Sequence, residues 1–248
     1  MDPWKIISQN KRDQFLSFSQ KRQNKFAATV LKESFETQNF EPYRTLEAWM
    51  GLPPLNSDHE SISNRFHSHL QKAGTGIKEH QMLIKKADTK SDVPYRNIAI
   101  VLDNLRSAHN VGSIIRTTEA FRLGTLYIHG HTPNALHAKV EKSAMGAEVP
   151  TQKFVNFDKL PRPIIALETV PGATHINEFV FPESFTLLVG NEEYGISENL
   201  LDEADHIVTI PLRGSKNSLN VSNAFAIAAN QISCSAHFEQ HTHLKRPS

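Results

Sequence analysis

Cysteine is all but missing from this 248-residue chain. Cys234 stands alone, so no intrachain disulfide can form. A reducing compartment suits such a chain, and the expected location is the cytoplasm. Long apolar runs are missing too. No stretch approaches the roughly 18 residues that span a bilayer. The opening MDPWKIISQNKRDQF lacks the apolar centre of a signal peptide, and no membrane partner is expected. Net charge is nearly absent: 27 Lys and Arg face 26 Asp and Glu, a balance of +1. Bulk charge therefore does not point to a nucleic acid. Residues 1–90 hold 14 basic against 10 acidic side chains, and residues 91–248 hold 13 against 16, so +4 and −3 sum to +1. A mildly basic front suits a polyanion partner, and equally an ordinary solvated surface. Paired CxxC spacing is also lacking, so Cys234 with His237, His241 and His243 is not expected to hold a metal.

What is present falls into two textures. Residues 1–90 are polar and helical in pattern. Phe15, Phe18, Phe26, Val30 and Leu31 are expected on one side of a helix, with Lys21, Arg22 and Lys25 on the other. Pro53-Pro54 interrupts the chain, and Ile62, Phe66, Leu70 and Ile77 suggest more helix. The polar stretch 85–94 is the expected linker, and the tail 241–248 is expected to fray. Beyond the linker, short β-branched runs recur at 98–102, 125–128, 163–167, 186–189 and 206–210. Helix-like segments lie between them, near 110–122, 136–147, 196–203 and 219–237. Runs apolar on both faces, alternating with helices, predict an α/β fold with a mostly parallel sheet covered on both sides. The smaller, mainly helical N-terminal region would precede it.

Ligands of open α/β sheets collect beyond the carboxyl ends of the strands, and three such ends are rich in polar groups. After the first strand comes Asp103 to Thr117. Val111, Ile114, Ile115, Thr118 and Phe121 share one helical face, and Arg116 points away from it beside Gly112. That bare backbone would admit an RNA phosphate. Asn110 is expected at the N-cap, and Arg116 would otherwise be a surface partner of Glu119 or Glu148. Asp103 is expected to cap this helix start, or to meet Arg106 or Arg116. His109 is a candidate RNA contact, and His129 and His131 read as exposed. The second end, Leu188-Val189-Gly190-Asn191-Glu192-Glu193-Tyr194-Gly195-Ile196-Ser197, sets two glycines around an acidic pair. It reads as a close backbone approach or as a simple strand–turn–helix junction. The third runs from Ile210 through Asn217-Ser218-Leu219-Asn220 into an Ala-rich apolar helix. One of Asn217, Ser218 and Asn220 would cap that helix; the surplus suggests a bound polar molecule.

Taken in order, NVGSIIRT (110–117), LLVGNEEYGIS (187–197) and IPLRGSKNSLNVSNA (210–224) resemble the three motifs of the SpoU/TrmH branch of the SPOUT RNA methyltransferases. The resemblance covers about residues 96–238 and implies a methyltransferase domain over 95–240 whose C-terminal segment threads a deep trefoil knot. It implies S-adenosylmethionine, bent and held at Gly190, Ile210 and Leu219, with Leu188, Asn191 and Leu212 nearby. It implies methyl transfer to a ribose 2′-hydroxyl of tRNA or rRNA, in a homodimer formed through the knot region that completes each site from both subunits. Arg116, Asn110, Glu192, Ser218 and Asn220 would be the catalytic set. A guanidinium is a poor base, so Arg116 is expected to bind the adjoining phosphate and stabilise charge growing on the 2′-oxygen.

The resemblance stops short of residues 1–90. There Lys21, Arg22 and Lys25, with Lys11 and Arg12, are candidate RNA contacts, because phosphate contacts require charge and little geometry. A knotted RNA-binding protein acting in RNA maturation without methyl transfer is the alternative.

Overall fold

The computed structural model describes residues 6, 7, 9, 11–76, 83 and 91–235. The chain divides into two compact units, residues 1–90 and 91–248. Residues 77 and 85–90, the three histidines beyond Cys234 and the tail lie outside the described residues.

The first unit contains α1 (Arg12–Leu16), α2 (Gln20–Thr37), α3 (Glu41–Trp49) and α4 (His59–Lys72). The single helix expected through Phe15 and Leu31 is two. Ser17 turns its hydroxyl onto the Gln14 carbonyl at 2.7 Å, and Ser19 accepts from the Arg22 N–H at the head of α2. Serines offer the backbone such alternatives to continued helix. Phe15, Phe26, Leu31, Tyr43, Leu46 and Phe66 form the core. Lys21, Arg22 and Lys25 are exposed, as are Lys11 and Arg12, and the Arg22 guanidinium lies 4.1 Å over the Phe18 ring.

Three helices are also joined by a buried polar chain. His69 is 2 % exposed. Its Nδ1 donates to Asn24 Oδ1 at 2.8 Å, which leaves Nε2 to accept from the Tyr43 hydroxyl at 2.8 Å. Arg65 reaches Tyr43 and Glu47. Burial, with Arg65 and Lys72 adding repulsion, pushes His69 down to about 4, and burial pushes Tyr43 up to about 12. The neutral imidazole is thus part of the fold. Because the folded value lies below the unfolded 6.5, unfolding takes up a proton between those values. Stability is complete above about pH 6.5 and falls as the pH drops towards 4, by about 3 kcal/mol for this group alone. Trp49 packs against this core, so tryptophan fluorescence reports on its unfolding. Denaturant midpoints should fall between pH 6.5 and 4.5 in the native chain and fall less in His69→Gln. Equal slopes would remove His69 as the cause.

The second unit is a seven-stranded sheet. Its elements are β1 (Ile98–Asp103), α5 (Ala108–Ala120), β2 (Thr125–His129), α6 (Ala138–Ala144), β3 (Thr151–Lys153), β4 (Ile164–Leu167), β5 (Thr174–His175), β6 (Phe185–Val189), α7 (Glu198–Leu201), β7 (His206–Thr209) and α8 (Val221–Cys234). The order is β3-β2-β1-β6-β4-β7-β5, and every pairing is parallel. Strand β1 is buried at all six positions. Ile98, Ile100 and Leu102 enter the core beneath α5 and α8, while Val101 joins Leu188, Ala166 and Leu200 on the opposite face. That two-sided burial is why the strands read as unbroken apolar runs. The five expected strands are present. The two that were missed, β3 and β5, are short, polar edge strands without enough residues to show a period.

Gly112 is not the open patch expected beside Arg116. A Cβ there would lie 2.4 Å from the Ser143 Cβ and 2.6 Å from the Val140 carbonyl oxygen. The glycine lets α5 and α6 pack together, so that space belongs to protein. Among the described residues, no helix is long and apolar enough to cross a membrane.

Candidate functional site

Strands β6, β4 and β7 are neighbours, so their carboxyl ends open side by side. The segments that follow them, 167–169, 189–195 and 210–224, surround a cavity of about 300 Å³. Gly190, Asn191, Glu192, Ile210, Leu212, Ser218 and Leu219 all line it. Three segments far apart in sequence therefore converge. Leu188 does not line the cavity: it is fully buried in β6 and packs with Val101 and Ala166 in the core. Strand alternation turns it away from the ligand side.

The β6 turn folds back on itself. Asn191 and Gly195 exchange backbone hydrogen bonds of 2.8 and 3.0 Å. The Asn191 side chain donates to the Asn104 carbonyl and accepts from the Glu193 N–H. A Cβ on Gly190 would stand 2.3 Å from the Gly195 carbonyl carbon and 2.4 Å from the Ile196 nitrogen. Glycine is needed here because backbone meets backbone, while Gly195 holds φ +77.

Glu192 joins this turn to α5. Its Oε2 accepts from the Arg106 N–H at 3.0 Å, and its Oε1 from the Ser107 N–H at 3.1 Å and the Asn110 amide at 2.7 Å. Partial burial pushes this carboxyl up, but those donors outweigh it and hold it below its ordinary value. Asn110 Oδ1 in turn accepts from Asn220 Nδ2 at 3.1 Å. One polar chain, Glu192–Asn110–Asn220, thus runs through all three motifs.

Several expectations need correction. Asn110 is not the N-cap of α5; Ser107 is, and Asn110 lies inside the first turn with its side chain free to bridge. Asp103 caps a different place. It is fully buried, receives the Ser197 N–H and hydroxyl on Oδ2 and the His129 ring and Asn104 amide on Oδ1, and so joins β1, β2 and the entry to α7. His129 is therefore tied down, and Arg106 pairs with Glu193. His109 Nδ1 lies 3.1 Å from Ser143 Oγ. The last helix begins at Val221, with Asn220 as its cap, so Asn217 and Ser218 remain in the irregular approach that lines the cavity.

Arg116 is exposed and is not among the lining residues. It follows Asn110 by six positions, about 9 Å along the helix and about 120° around it. Asn110 accordingly turns to Glu192 and Asn220, and the single chain does not bring Arg116 to the cavity. The rim also includes residues that sequence reasoning missed. Leu167 ends β4, and Glu168 and Thr169 follow it. The available signal was a polar pair placed directly after a buried strand.

Comparisons with known proteins agree in one direction. The model of the SpoU rRNA Methylase family matches residues 97–230. A Synechocystis sp. protein named as an uncharacterized tRNA/rRNA methyltransferase is 33% identical over 164 residues, which are 60% of this chain and 40% of that protein. The tRNA (guanosine(18)-2′-O)-methyltransferase of Aquifex aeolicus is 28% identical over 142 residues, 53% of this chain and 66% of the relative. The chain thus spans less than two thirds of the length of either. Among solved structures, the SpoU methyltransferase AviRb of Streptomyces viridochromogenes in complex with AdoMet superposes with a TM-score of 0.51 at 25% identity. That likeness covers 57% of this chain and 61% of the other.

Proposed function

Because this chain belongs to the SpoU rRNA methylase family over residues 97–230, we propose that it transfers a methyl group from S-adenosylmethionine to a ribose 2′-hydroxyl of tRNA or rRNA. The observation that carries this reading is the convergence of two motif segments, 187–197 and 210–224, on one cavity at the ends of β4, β6 and β7, with the third tied to both through the Asn110 side chain.

The residues present fit that cofactor. The cavity volume lies at the small end of the roughly 300–1,000 Å³ usual for small-molecule sites. Ile210, Leu212 and Leu219 offer apolar walls suited to an adenine, while Asn191 and Gly190 bring backbone groups to the same space. When bound, the cofactor supplies an electrophilic methyl on a sulfonium. The chain has to hold the ribose in line with it and manage the 2′-hydroxyl proton. Ser218, at the cavity wall, and the Glu192–Asn110–Asn220 chain fix the polar side of the site. Arg116 binds the adjoining phosphate and stabilises negative charge on the 2′-oxygen.

The position of Arg116 outside the cavity lining favours a homodimer in which a second copy brings its own Arg116 to the site. The segment ending in α8, with Phe225, Ala228 and Ile232 in the core, is proposed to thread a trefoil knot. Residues 1–90 would form an RNA-binding domain through Lys21, Arg22 and Lys25, and 95–240 the methyltransferase domain. The reaction is placed in the cytoplasm.

Incubation with methyl-labelled cofactor and total tRNA or rRNA tests the activity. Label recovered in alkali-resistant dinucleotides is the expected result, because a methylated 2′-oxygen cannot attack its neighbouring phosphate. Label in alkali-labile nucleotides would point to base methylation, and RNA binding without incorporation to the maturation role.

A further inference from the structure

Glu168, at the cavity rim, engages both β7 and the segment that follows β6, and neither the motifs nor the proposed chemistry gives it a task. It stands immediately after β4, which the sheet order places between β6 and β7. Its backbone N–H donates to the Val208 carbonyl of β7 at 3.1 Å. Its side chain crosses the other way. Oε2 accepts from the Ile196 N–H at 2.9 Å, at the end of the β6 turn, and Oε1 accepts from the Thr169 N–H at 2.8 Å. The carboxylate also presses on Gly195, where a Cβ would come 2.3 Å from Oε2. Glu168 lines the cavity together with Gly190, Gly195 and Ile210.

We propose that Glu168 is a positioning residue: its carboxylate clamps the 190–196 turn against the end of β4 and so sets the cavity wall that receives the cofactor. The inference rests on the proposed function above. The chemistry required is narrow. Two backbone N–H groups arrive, one at each oxygen, and only a carboxylate presents two acceptors there. Glutamine would set its NH₂ group against one of those donors. Aspartate keeps both acceptors and is one methylene shorter. Hydrogen bonds to an ionised acceptor are stronger than neutral ones, and Glu168 holds the far end of the turn, at Ile196, while Asn191 and Glu192 hold its start.

The test compares the native chain with Glu168→Gln and Glu168→Asp by calorimetric titration with S-adenosylmethionine alone, by RNA binding and by thermal melting. In Glu168→Gln the cofactor Kd should rise about tenfold or more, with Kd for RNA within about twofold and a folded, cooperative melt. KM for the cofactor should rise more than kcat falls. Glu168→Asp should recover part of the cofactor affinity. A folded Glu168→Gln that binds cofactor like the native chain overturns the clamp, as does a loss of RNA and cofactor affinity in equal measure, which marks a general structural role. Failure of the native chain to bind the cofactor is a different result, and it removes the functional reading itself.

Discussion

Replacing Arg116 with alanine should lower kcat by about 10²–10³, the usual cost of removing a donor aimed at developing negative charge, while the cofactor Kd stays within about twofold. The split follows from position. Arg116 is exposed on α5 and absent from the cavity lining, so a cofactor held by the β6 and β7 segments loses nothing when it is removed. The fold should also tolerate the change, since exposed helix positions seldom move stability by more than about 0.5 kcal/mol. Lysine should rescue poorly. It keeps the charge but not the planar fork that meets two phosphate oxygens at once. Single-turnover methyl transfer with saturating cofactor reads the loss, and titration of the cofactor alone checks the retained binding. Full activity in Arg116→Ala would transfer the electrostatic role to another group.

Gly190→Ala should lower cofactor affinity and turnover together. The added methyl meets backbone at 2.3 and 2.4 Å, and the atoms it meets belong to Gly195 and Ile196 rather than to a yielding side-chain tip. The turn has to open. Its two Asn191–Gly195 hydrogen bonds and the Ile196 N–H bond to Glu168 are all in the path of that movement. A displacement near 1 Å in a positioning element costs about 10²-fold in turnover, and cofactor affinity should fall by a similar factor. Binding titration and a melt measured side by side separate this from global unfolding. Unchanged affinity would show that the turn gives way without moving the cavity wall.

The two variants together test the shared site. A subunit with Arg116→Ala keeps a sound cavity, and a subunit with Gly190→Ala keeps a sound arginine. If each site draws on both copies, a mixed dimer contains one complete site. Random exchange between equal amounts then restores about a quarter of native activity, since half the dimers are mixed and each has one working site of two. No recovery on mixing, with subunit exchange confirmed, would place Arg116 and the cavity in the same chain.

The family and the broad architecture were legible in the chain itself. The short β-branched apolar runs at 98–102 and 186–189 pointed to strands buried on both faces, and the polar entry at 217–220 is poor packing material before an apolar helix. Those properties belong to local sequence, because side-chain period and capping act over a few residues. Gly190, Ile210 and Leu219, expected from the ordered motifs, line the cavity. What local sequence could not decide was who faces whom. Asn110 has the same chemistry as a helix cap or as a bridge, and only the approach of Glu192 and Asn220 from 82 and 110 positions away makes it a bridge. Gly112 looks like open backbone until α6 fills the space above it. Glu168 looks like a solvated acid until the strand order sets it between β6 and β7. Each of those assignments rests on contacts between distant segments, and distance along the chain carries no information about them until the sheet has brought its strand ends together.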